Sequence, residues 1–122
     1  MTLSTTVQAS PLAGRIITQT SAIATADTNV TGAAGSVLHL VDVDNTGNVA
    51  ATYLKLFNAA APTVGTTAPD MIFMVPASVR RVFPIMEGVT FSVAISLCAV
   101  TAGGTAGTTS PTNPVVVRLA TS

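Results

Sequence analysis

From Ser36 to Ser122 the chain never sustains the i, i+3, i+4, i+7 apolar spacing of an amphipathic helix, and Gly or Pro interrupts it repeatedly. The runs between these interruptions are rich in Thr, Val and Ile, which suit a pleated, half-buried surface. Strands are expected near Val37–Asp44, Ala50–Asn58, Met71–Val75, Val79–Ile85, Val89–Val100 and Val115–Ala120, with long loops at Ala59–Asp70 and Thr101–Pro114. No connection holds a crossover helix, which excludes βαβ units. The expected fold class is all-β, an antiparallel β-sandwich or jelly roll with an extended N-terminal arm. Residues 1–35 are the arm and 36–122 the sandwich domain. The arm is a Thr/Ser/Ala/Gly-rich segment with one candidate strand at Ile16–Thr25. Its expected anchor is either its own sheet or the sheet edge of a neighbouring subunit.

Alternation assigns faces. In Phe91–Cys98, the residues Phe91, Val93, Ile95 and Leu97 share one face, and burying each contributes roughly 1.5–3 kcal/mol. The opposite face, Ser92, Ala94, Ser96 and Cys98, is small and flat. Val115, Val117 and Leu119 form a second inward set, with Arg118 turned the other way. Asn45-Thr46-Gly47-Asn48 reads as a four-residue hairpin loop, because Asn and Gly tolerate the positive φ of a tight turn. That hairpin puts Val37, His39, Val41, Val43, Ala50, Thr52, Leu54 and Leu56 on a core face. Leu38, Leu40, Asp42, Asp44, Val49, Ala51, Tyr53, Lys55 and Phe57 then share a mixed face, with Asp42 and Lys55 reaching water or a neighbour.

Only 8% of the 122 residues are charged, five basic and five acidic, against about 25% in an ordinary soluble domain. Phosphate binding needs clustered cations and base stacking needs aromatic platforms. Five scattered basic residues, no Trp and one Tyr supply neither. Thr, Ser and Ala stand where Lys and Glu usually keep a free monomer soluble, so a surface shielded by neighbours in a symmetric assembly is expected. Cys98 is the one cysteine, which excludes an intrachain disulfide, and in an apolar strand it is expected to be buried and inert. The opening MTLSTTVQAS lacks a basic region followed by an apolar core, and Val89–Val100 is too short to span a bilayer as a helix. A chain made in the cytosol, without a membrane anchor, is expected.

Asp42-Val43-Asp44-Asn45-Thr46-Gly47 begins like a calcium loop, but the twelfth position, which needs a bidentate carboxylate, is Tyr53, and flanking helices are missing. Asp44 and Asn45 are expected to shape a turn. His39, isolated in an apolar alternation, is expected to be buried and hydrogen-bonded locally. One His, one Cys and no Gly-x-Ser-x-Gly leave no nucleophilic triad. Asp42 and Asp44 are the one carboxylate pair and lack the aromatic platforms of a glycosidase cleft. Gly103–Gly107 lacks the Lys of a phosphate loop and reads as a flexible hairpin tip. Thr18-Gln19-Thr20 occurs once, without the period an ice-binding surface needs. Arg80 and Arg81 point to opposite faces of a strand. They read as edge charges that discourage aggregation, or as one half of a salt bridge to a neighbour. No enzymatic activity, cofactor or metal is expected.

Tyr53–Ala77 resembles small proteins of tailed-bacteriophage virions: Tyr53, Lys55, Leu56 and Asn58 in a strand, then Ala61-Pro62, Val64-Gly65-Thr66 and Pro69, then an apolar strand ending in Val75-Pro76. Gly88, Phe91-Ser92, Ala94-Ile95-Ser96 and Ala99-Val100-Thr101 continue the likeness, which covers Thr52 to Ser122. The resemblance implies a β-sandwich structural protein of the virion, assembled in the host cytoplasm. It implies a capsid decoration or cement protein that binds the major capsid protein and copies of itself, as a homo-oligomer such as a trimer. A tail or baseplate adaptor is the alternative, and a receptor- or carbohydrate-binding module a more distant one. Neither nucleic acid nor membrane is among the expected partners. The candidate partner-interface residues are Leu3, Val7, Leu12 and Arg15 of the arm, Tyr53 and Lys55 of the mixed face, and Arg80 and Arg81.

Overall fold

The computed structural model describes residues 3–7 and 14–122. Its strands are β1 (Leu3–Val7), β2 (Arg15–Ala22), β3 (Ser36–Asp44), β4 (Thr52–Phe57), β5 (Met71–Val75), β6 (Arg80–Phe91), β7 (Ser96–Val100) and β8 (Val115–Thr121). Two antiparallel sheets pack face to face as a β-sandwich: one of five strands in the order β1-β2-β8-β3-β6, and one of three in the order β5-β4-β7. Between them lie Ile17, Leu38, Val41, Val43, Val117 and Leu119 from the large sheet and Leu54, Leu56, Val75, Leu97 and Ala99 from the small one. The inward set Val115, Val117 and Leu119 is buried as alternation predicts, and Val116, Arg118 and Ala120 on the other face are half-exposed.

The division at residue 35 moves. β2 pairs along β8, and Ile17, Ala22 and Val30 belong to the core, so the sandwich takes in the chain from Arg15. Leu3–Val7 pairs with β2 of its own sheet. Residues 23–30 close the outer edge of β7. Ala99 N donates to Ile23 O (2.9 Å), Asp27 N and Leu97 N donate to each other's carbonyls (2.8 and 3.0 Å), and Val30 N donates to Ile95 O (2.8 Å).

The expected β3–β4 hairpin is absent: β3 lies between β6 and β8, and β4 belongs to the other sheet. Asn45–Asn48 does turn, with Asn48 N donating to Asn45 O (3.1 Å), but the turn carries the chain from one layer to the other. A bulge splits the face assignment in β3: Val41 and Val43 face the core as expected, whereas Val37 and His39 do not. Its register shifts between Leu38 and Leu40 against both neighbours. One extra residue reverses the alternation, so Leu38 is buried along with Val41 and Val43, while His39 sits half-buried at the bulge. Opposite it Gly88 takes φ +76°, and a Cβ there would fall 3.1 Å from His39 Cε1.

Val89–Val100 is likewise not one strand. The chain bends at Ser92–Val93 and crosses between sheets, which leaves Val93 54% exposed rather than facing the core. β7 is buried on both faces, because Leu97 and Ala99 meet the main core while Cys98 and Val100 join Phe57 in a second cluster outside the small sheet. Tyr53, Ala24, Ala59 and Val64 cover that cluster.

Candidate functional site

The Asp42–Asn48 motif resolves into two separate jobs. Asp42 is not a solvent-facing group: it is 5% exposed, accepts from Arg80 Nε at 2.9 Å, and has Arg118 Nη1 at 4.0 Å. The bidentate fork of Arg80 matches the carboxylate geometry, so Arg80 pairs with Asp42 of its own chain. Asp44 accepts from Thr46 N (3.0 Å) and Thr46 Oγ1 (2.6 Å), and these bonds hold its carboxyl below the usual carboxylate value. Among the described residues no three His, Cys, Asp or Glu side chains gather closely enough to hold a metal ion, and no cavity opens.

The second job belongs to residues the sequence reading treated only as turn formers. Asn45 is fully buried. Its Nδ2 spreads its protons over Ala50 O (3.0 Å), Val75 O (3.3 Å) and Pro76 O (3.0 Å). Its Oδ1 accepts from Asn48 Nδ2 (2.9 Å) and Thr52 Oγ1 (2.8 Å). Asn48 in turn donates to Asn113 O (2.8 Å) and accepts from Asn113 N (2.8 Å). Chain segments that cross between layers bring backbone polar groups inside, where each needs a partner. An amide side chain supplies donors and acceptors together, and this knot ties three crossings at one end of the sandwich. The available signal was three Asn residues beside predicted sheet-end turns, but their convergence is a long-range property.

Lys55 is fully buried and is therefore not a surface contact. Its Nζ donates to Gly107 O (2.9 Å) and Thr105 O (3.3 Å). The Thr101–Pro114 segment is thus a strap over the small sheet, not a hairpin tip: it joins β7 to β8 in the other sheet, and Gly103 lies against the Tyr53 ring. Tyr53 is half-buried beneath it. Cys98 is buried on the same face, opposite Lys55 in register, and burial pushes its thiol up to about 11 despite the nearby ammonium.

Arg81 is exposed, and Arg15 is half-buried with Nη1 donating to Thr31 O (2.6 Å). Leu3 and Val7 lie on β1, while Leu12 falls outside the described residues.

The surface with most to offer a partner is the outer face of the large sheet. Register sets Ile16, Ala120, Leu40 and Pro84 in one row across β2, β8, β3 and β6, and Thr18, Arg118, Asp42 and Val82 in the next. Ile16, Leu40 and Ala120 are half-exposed, and Val82 is 50% exposed. The charges there, Asp42 and Asp44 against Arg80 and Arg118, cancel. No helix among the described residues is long and apolar enough to cross a membrane. No protein-family model, curated protein or solved structure matches the chain.

Proposed function

We propose that this is a structural virion protein, a capsid decoration (cement) protein that stabilises a phage head by binding the major capsid protein. The outer face of the large sheet is the observation that carries this reading. It is apolar along Ile16–Ala120–Leu40–Pro84 and electrically neutral. Five strands about 4.8 Å apart make it roughly 20 Å wide. A charge-poor β-sandwich with one such face, and with Tyr53–Ala77 and Glu87–Thr101 resembling small phage virion proteins, suits attachment to a large protein surface. Each copy stabilises the shell by covering apolar area at a junction, and symmetry repeats a modest contact many times. A glycan-binding module fits less well, because Tyr53, the one Tyr, is packed beneath the strap.

Because the face is neutral, binding to purified heads lacking the protein is expected to change little between low and high salt. Leu40→Lys places an uncompensated charge mid-face on a half-exposed residue. It is expected to leave the fold intact and lower head occupancy at least tenfold. Copies per particle, counted by mass spectrometry, should scale with the major capsid protein. A few copies per particle would point to a tail or baseplate adaptor, and unchanged occupancy of the variant would refute the assigned face.

A further inference from the structure

The free sheet edges are treated unequally. β7 is closed by residues 23–30 through backbone hydrogen bonds. β6 carries Arg80, Arg81, Pro84 and Glu87 and breaks its register with β3, the devices that stop edge strands from pairing. β1 is a polar segment, Leu3-Ser4-Thr5-Thr6-Val7. β5 has no such guard. It reads Met71-Ile72-Phe73-Met74-Val75, pairs with β4 in unbroken register, and has no strand on its other side among the described residues. Phe73 packs inward against Phe83, with ring centroids 4.9 Å apart. Ile72 and Met74 face outward, 40% and 47% exposed.

We propose that the free edge of β5 pairs with the same edge of a second copy, antiparallel about a two-fold axis at Phe73, joining the two small sheets into one. The strand is self-complementary under that operation. Ile72 of each copy meets Met74 of the other, so apolar side chains lie directly opposite on the outer face. No charge falls within the pairing. The flanking Asp70 carboxylates lie at opposite ends of the paired strands, about 20 Å apart at ~3.4 Å per residue, beyond the reach of strong repulsion at physiological salt. A two-fold contact between identical patches closes on itself and so yields a dimer, not a fibre. The contact is a property of the free chain and is independent of the capsid assignment.

Sedimentation velocity on the isolated chain, from about 1 to about 100 μM, tests the pairing in the range expected for a small interface. A monomer–dimer equilibrium is expected, with β5 amides gaining hydrogen-exchange protection as the dimer fills. Ile72→Lys with Met74→Lys sets like charges opposite one another and is expected to weaken the dimer at least tenfold. Ile72→Lys with Met74→Glu sets opposite charges across the same axis and is expected to restore it. Both positions are exposed, and circular dichroism and melting verify that each variant is folded. A wild-type chain that stays monomeric throughout overturns the proposal, and so does a double-lysine variant that dimerises like wild type. A folded lysine–glutamate variant that fails to recover the dimer overturns it too, as does β5 protection that arises only when heads are added.

Discussion

Replacing Lys55 by Met isolates the ammonium from its packing. Methionine fills nearly the same channel between β4 and the strap but cannot donate to Thr105 O and Gly107 O. Hydrogen bonds to a charged group contribute about 1.5–3 kcal/mol each. Even the lower figure gives about 3 kcal/mol for two bonds, or roughly a hundredfold change in the closed-to-open ratio of the strap. Global stability should move far less. A buried ammonium carries a desolvation penalty of several kcal/mol that the substitution removes, and Thr105 and Gly107 lie where water can reach their carbonyls once the strap lifts. Lys55→Met is therefore expected to raise amide exchange across Thr101–Thr109 by about two orders of magnitude, with the Thr101 amide, bonded to Thr109 O at 2.9 Å, as reporter. The melting temperature should shift by only a few degrees. Unchanged exchange in a folded variant would refute the claim that Lys55 holds the strap. A collapse of global stability would show instead that the ammonium supports the core.

Thr121 is fully buried, and its Oγ1 finds no hydrogen-bond partner among the described residues. Thr121→Val keeps the shape and removes the stranded hydroxyl, so a gain of about 1 kcal/mol in urea-unfolding free energy is expected; a loss would mean that the hydroxyl is bonded in solution. Burial raises the carboxyl of Asp27 above its ordinary 3.8, against the opposing pull of the Gln19 amide, which donates to Oδ2 at 2.7 Å. The protonated form is thus favoured in the folded state: the contribution of Asp27 to stability is fully present below 3.8 and is lost as pH rises through the folded value. Asp44 has the opposite sign, its contribution present above 3.8 and lost as pH falls through its lowered value. Asp27→Asn keeps an acceptor for Gln19, so its urea midpoint should gain on wild type as pH climbs past 3.8; parallel midpoint curves would count against the burial effect.

Local chemistry made most of the strands legible. Val115, Val117 and Leu119 became the inward face of a strand as predicted, with Val116 and Arg118 on the other side, because successive side chains of an extended segment point to opposite faces. The breaks at Ala59–Asp70 and before Val115 were equally readable from Gly, Pro and Thr. The bulge at His39 was not, because one inserted residue leaves composition unchanged while putting the alternation on its two sides out of phase, so that Ser36 and Leu38 turn inward in place of Val37 and His39. Val93 was lost for a related reason: Phe91–Cys98 alternates without a fault, and only its passage between layers bends it.

The candidate surfaces divide in the same way. A charge-poor exterior and the edge-type cations Arg80 and Arg81 are properties of composition. That Arg80 is held by Asp42, that Lys55 lies beneath a strap and that three Asn residues form one knot depend on partners 30 or more residues away. By itself, then, the sequence determined the strand-forming segments, the all-β class and a surface poor in ions, because these follow from side-chain shape, alternation and charge within a few residues. The pairing of strands, the faces of β3 and β7 and the burial of Lys55 and Asn45 were decided by tertiary structure. Antiparallel strands accept many partners through the same backbone groups, and only the packing of two whole sheets selects among them.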